Sequence, residues 1–163
     1  MMLLAAAYAG IGFGNSGCHL PHGMSYPVSS LVKGLATPYH APGHAVDSPL
    51  VPHGMSVILN APAVFRFTAS SHPDRHLTAA VALGADVSKA KPEDAGTILA
   101  DRIIEFMHKL EVPNGLKALG YTSADIPKLV EGTLPQHRVT KLSPLPASAE
   151  DLAAMFEDAM VAW

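Results

Sequence analysis

Two histidines in this chain have the residue type and the surroundings to do chemistry: His22, in GCHLPHGMSYP, and His53, in VPHGMS. A neutral imidazole nitrogen is the commonest protein ligand for metals and a ready proton carrier near neutral pH. Set on a helix, Leu4, Tyr8, Ile11, Asn15, Cys18, His22 and Tyr26 recur at steps of four and three and share one face, which aims His22 inward. Burying an imidazole without a partner costs about 1–3 kcal/mol. A metal shared with His53 is one partner that would meet this need, and a hydrogen bond inside the core is the other. Two histidines do not complete a catalytic metal site, which takes about three protein ligands and an open position. No HExxH motif or cysteine cluster supplies the rest.

Other candidates read more plainly. His40 and His44 are spaced for one helix face, but Pro42 and Gly43 between them forbid the helix, so both are expected in solvent. His72 and His76 lie one turn apart beside Asp74 and Arg75, which reads as a solvated face. Gly12-Phe13-Gly14-Asn15-Ser16-Gly17 spells the dinucleotide fingerprint GxGxxG. That motif needs a strand before it and an acid about 20 residues on. Here an Ala-rich segment precedes it and the first acid, Asp47, comes too late, so the match is read as helix packing.

The elements that must position these residues follow from composition and periodicity. At 163 residues the chain has the size of one domain, and residues 1–163 are expected to fold once. Hydrophobic residues make up 48% and charged ones 15%, a balance that points to surface covered by another domain or subunit, a second copy of the chain included. The net charge of −3 and eleven scattered Lys and Arg residues exclude a nucleic-acid footprint. The single cysteine, Cys18, excludes a disulfide framework within the chain, and on the His22 face it reads as a small buried filler.

Residues 1–32 carry no charge, yet their five glycines, two prolines, Asn15, His19 and His22 are too polar for a comfortable membrane span. Ala7-Tyr8-Ala9 imitates a signal cleavage site, but no positive start precedes it. The stretch is therefore expected to be one helix from about residue 2 into the twenties, buried on all sides, with Pro21 kinking it before His22.

Residues 33–52, with four prolines and two glycines, predict a long surface loop. From His53 the pattern is helical, with Pro62 opening a second piece, and a further helix runs from Pro73 to Leu83 with Gly84 stopping it. Ala95, Ile98, Leu99, Ile103, Phe106 and Leu110 predict the core stripe of a long helix. Thr122 with Asp125 and Ser148 with Asp151 have the spacing of capping boxes. The last helix is expected to bury Leu152, Met155, Phe156, Ala159, Met160 and Trp163. No strand alternates convincingly, and the predicted fold is an all-α helical bundle.

The stretches GFGNSGCHLPHGMSYP and VPHGMSVILNAPAVFRFTA, with the tail TLPQHRVTKLSPLPASAEDLAAMFEDAM, resemble the C-terminal helical half of the iron-containing, group III alcohol dehydrogenases, and within them the hydroxyacid-oxoacid transhydrogenase branch. The resemblance implies a divalent metal, Fe2+ or Zn2+, with His22 and His53 as its third and fourth ligands. It implies Tyr26 near the nicotinamide, where many members have a histidine. It further implies that an aspartate, another histidine and an NAD-binding α/β half lie outside these 163 residues, so the chain reads as a fragment, a truncated isoform or a shortened gene product. The implied reaction is hydride transfer from 4-hydroxybutyrate to NAD and on to 2-oxoglutarate, in mitochondria; composition, for its part, points to no nucleic-acid partner and no membrane span. Such carboxylate substrates call for a fixed cation. Arg66, Arg75 and Arg138 are available, each also readable as an ordinary surface residue. The other function class is an inactive helical module acting through protein association. For the isolated 163 residues the expectation is no turnover and weak metal binding.

Overall fold

A computed structural model describes residues 1–43 and 48–163, and His44 and Asp47 lie outside them. Among the described residues there are nine α-helices and five short 3-10 turns, and the fold is all-α. The only pairing of extended backbone there is an isolated parallel bridge between His40 and Leu50.

Helix α1 covers Met2–Ser16 and buries none of its residues. The expected continuous helix, buried on all sides, is not what forms. Gly17 adopts φ 76°, its N–H closes on the Phe13 carbonyl at 2.7 Å, and the chain leaves the helix. A new helix, α2, runs Leu20–Leu31 with Pro21 in its first turn. There the missing proline N–H costs nothing, because first-turn donors have no helical partner anyway. Pro21 therefore starts a helix instead of kinking one, and the GxGxxG stretch is the end of α1 with no strand before it.

Helix α2 is the hub of the bundle, and Leu20, Met24 and Val28 on it are fully buried. Its neighbours are α3 (His53–Ile58), α4 (Ala61–Thr68), α7 (Ile126–Thr133) and α8 (His137–Thr140). Gly23 lets α8 come close, since a Cβ there would lie 2.8 Å from Thr140 Cγ2. Tyr121, 1% exposed, donates its hydroxyl to the Val28 carbonyl at 2.6 Å, tying a distant loop to the hub.

The remaining helices wrap this centre. Helix α5 (Pro73–Ala82) ends at Gly84, φ 87°, and α6 (Ala95–Lys109) packs on α4 and α5. The buried stripe of α6 is Ala95, Gly96, Leu99, Ala100, Ile103 and Met107. Phe106 and Leu110, expected in the core, are 37% and 74% exposed, so the stripe runs one position away from the one expected. Arg102 lies over the exposed Phe106 ring at 4.6 Å. Both capping boxes form: Thr122 with Asp125 before α7, and Ser148 with Asp151 before α9 (Ala149–Asp158). Leu152, Met155, Phe156, Ala159 and Met160 are buried as expected, whereas Trp163 is 41% exposed. No helix among the described residues is long and apolar enough to cross a membrane.

Candidate metal centre

The N-terminus of α2 and the start of α3 bring His22 and His53 together. Their ring centroids are 5.4 Å apart with planes inclined at 59°. A polar stitch holds the two helices in that relation. Ser29 donates to Ser56 Oγ at 2.9 Å, and Ser56 donates to the His53 carbonyl at 2.8 Å. Ser25 ties back to the His22 carbonyl at 2.7 Å. Tyr26, one turn after His22, stacks on His53 at 6.4 Å with planes 23° apart. The other ring against His53 is thus a phenol, which holds its plane without competing for a ligand position.

These rings line a cavity of about 490 Å³ whose wall includes Cys18, Arg138, Val139 and Leu142. Cys18 is only half-buried, because the backbone break at Gly17 turns it toward the cavity and away from the core. Arg138, on α8, donates from Nη2 to the Tyr26 hydroxyl at 3.1 Å. The other two arginines stand elsewhere. Arg66 is engaged by Asp158 at 2.8 Å and Asp101 at 3.7 Å, and Arg75 is exposed on α5.

Electrostatics favour the ligating form of His22. Burial, and then the neighbouring His53 ring, lower its pKa, so the imidazole is neutral with a lone pair available. Two imidazoles bound to one ion at about 2.0–2.1 Å through nitrogen place their ring centroids roughly 5 Å apart, close to what His22 and His53 show. No group of three or more His, Cys, Asp or Glu side chains converges among the described residues. The pair therefore fits a metal as part of a ligand set.

The remaining histidines separate. His40 is exposed, as expected, and so is His72. His76 is not on a solvated face. It is 9% exposed, its Nδ1 donates to the His72 carbonyl at 2.9 Å, and its Nε2 lies 3.0 Å from Thr68 Oγ1. Phe65 stands edge-on between His76 and His19. His19 stands at the N-cap position of α2, and its buried Nδ1 has no hydrogen-bond partner among the described residues. The feature that sequence reasoning left among surface residues is Arg138, 112 positions from Tyr26.

Residues 1–160 match the profile of the Fe-containing alcohol dehydrogenase family, C-terminal. The chain is 60% identical over 159 residues to the mitochondrial hydroxyacid-oxoacid transhydrogenase of Homo sapiens, covering 98% of this chain and 33% of that protein. It is 56% identical over 160 residues to the probable hydroxyacid-oxoacid transhydrogenase, mitochondrial, of Dictyostelium discoideum, covering 98% and 28%. A crystal structure of a 1,3-propanediol oxidoreductase superposes with a TM-score of 0.76 at 21% identity, over 93% of this chain and 35% of that one. The chain thus spans about a third of the length of the relatives it matches.

Proposed function

The chain belongs to the Fe-containing alcohol dehydrogenase family, as its C-terminal portion, and from that premise we propose that it carries the metal- and substrate-binding half of a hydroxyacid-oxoacid transhydrogenase. The observation that carries this reading is the convergence of His22, His53 and Tyr26 on one cavity. In the whole protein the substrates would be 4-hydroxybutyrate and 2-oxoglutarate, NAD would carry the hydride, and the location would be the mitochondrion, the one printed in the relatives' names.

His22 and His53 would hold a divalent cation, Fe2+ or Zn2+, with an aspartate and a histidine from elsewhere in the whole protein. Such a cation supplies Lewis-acid polarisation of an alcohol or carbonyl oxygen. The chain's own residues prepare the place. His22 is kept neutral by burial, and Tyr26 fixes the His53 ring plane by stacking on it. Phe13, Val139 and Leu142 give the cavity an apolar side.

The test joins this chain to the N-terminal two thirds of the human relative, supplies NAD with Fe2+ or Zn2+, and measures 2-hydroxyglutarate formed from 4-hydroxybutyrate and 2-oxoglutarate. The expected result is turnover that falls on the order of a hundredfold or more in His22→Ala and in His53→Ala. Turnover indifferent to both substitutions would overturn the site. The 163 residues alone are expected to show none.

A second reading rests on the exposed apolar residues of α1, Leu4, Tyr8, Ile11 and Phe13 among them. It makes the chain an inactive module that works by association. Metal content of the purified chain shows how much of the centre is its own: tight one-to-one binding lost in both histidine variants would make a self-contained metalloprotein, and weak binding unaffected by either would leave the site dependent on ligands from elsewhere in the whole protein. Turnover of the joined protein separates the two readings, since turnover lost in both histidine variants favours the catalytic half and no turnover favours the module.

A further inference from the structure

The cavity holds one formally charged side chain among those that line it, Arg138, and the rest of its wall is apolar, aromatic or imidazole. Its position is built rather than incidental. Helix α8 sits close on α2 because Gly23 leaves room for Val139 and Thr140, and this brings the next residue back along α8, Arg138, to the Tyr26 hydroxyl. That hydroxyl is a neutral acceptor, so the contact orients the guanidinium without neutralising it.

Among the described residues Arg138 forms no ion pair with a carboxylate. Arg66 and Arg102 differ in this respect, the first held by Asp158 and Asp101 and the second by Glu105. A permanently charged fork, held at one corner by a phenol and otherwise open to a cavity, is suited to a planar anion with two oxygens. The ring of Tyr26 spans the distance between that fork and the two imidazoles, since its face lies on His53 and its hydroxyl on Arg138.

We propose that Arg138, oriented by Tyr26, binds the carboxylate of the substrate and so determines the preference of this cavity for hydroxy and oxo acids over neutral alcohols. The inference rests on the reading of the cavity as a substrate site. A small acid with its carboxylate on Arg138 would lie along Tyr26 with its oxygenated carbon toward His22 and His53. Arg138 is exposed, so its contribution falls at the weak end of charge-assisted contacts.

The experiment titrates the 163-residue chain, free of metal so that no carboxylate can bind an ion instead, with 4-hydroxybutyrate and with 1,4-butanediol. Binding is followed by NMR shifts of Tyr26 and the histidine rings. The expected wild-type preference for the acid is about twofold to fivefold. It should vanish in Arg138→Gln and return in part in Arg138→Lys, which restores the charge without the fork. An unchanged preference in Arg138→Gln, or no binding of the acid to the wild type, would overturn the proposal. Should Arg138→Gln lose helical content, Tyr26→Phe provides the second check, with an expected smaller drop in preference. The turnover assay distinguishes the two readings. Turnover with a preference indifferent to Arg138 sinks this inference alone. A preference that depends on Arg138, without turnover, sinks the catalytic reading and leaves the anion site standing.

Discussion

Helices α1 and α2 come from one uncharged, small-residue stretch, and they end in opposite environments. Residues 2–16 bury nothing, while seven of the twelve residues of α2 are buried. Their glycines show why. A Cβ at Gly10, Gly12 or Gly14 would meet nothing within 4 Å, whereas one at Gly23 would run into α8. The absence of charge permits burial but does not require it. What places α2 in the centre is that α3, α7 and α8 each present a surface to it, including Gly132 against Pro27.

The comparison can be broken first by core truncation. Met24→Ala on α2 removes a side chain with no exposure and is expected to cost about 2–5 kcal/mol. Ile11→Ala on α1 removes one that is 62% exposed and is expected to change stability by no more than about 0.5 kcal/mol. Urea denaturation of the two variants measures both. Equal losses would mean that α1 is packed in solution.

Glycine substitution gives a smaller contrast with opposite signs. Gly12→Ala, in open space on a helix, is expected to stabilise by about 1 kcal/mol. Gly23→Ala forces Thr140 to move and is expected to destabilise by about 1 kcal/mol, after its gain in helix propensity is offset by overpacking. It should also weaken the acid preference, because α8 carries Arg138. Thermal melting with the NMR titration checks both effects, and stabilisation by Gly23→Ala would break the argument.

The smallest effect sits at the junction of the two helices. Burial, and then the nearby His22 and His76 rings, lower the pKa of His19 from 6.5, so the folded chain keeps it neutral where the unfolded chain would protonate. Its contribution is complete above 6.5 and declines as pH falls below that value toward the lowered pKa. Urea midpoints at about pH 7.5 and about pH 5.5 should therefore differ less in His19→Gln than in the wild type. An equal acid-side drop in both would show that His19 is not a source of it.

Local signals were legible in proportion to how local their physics is. The capping boxes, the stop at Gly84, the opening of α4 near Pro62 and the all-α class follow from backbone preferences spanning a few residues, and the structure shows each of them. The stripe of α6 was misread at Phe106 and Leu110 because periodicity gives a face only to within about one residue, and Met107 fills the core instead. His76 was misread because the neighbouring charges are outward-facing while its ring turns toward Thr68 and Phe65, contacts no spacing rule contains.

The sequence by itself determined that the chain is helical, where most helices begin, and that His22, Tyr26 and His53 are the residues to watch. Tertiary structure alone decided that the first helix stands exposed, that His22 and His53 face each other, and that Arg138 lines the same cavity. The division has a physical reason. Helix caps and turns are settled by atoms a few bonds apart. The meeting of Arg138 with Tyr26 depends on how closely two helices can approach, and that is set by a glycine on one of them.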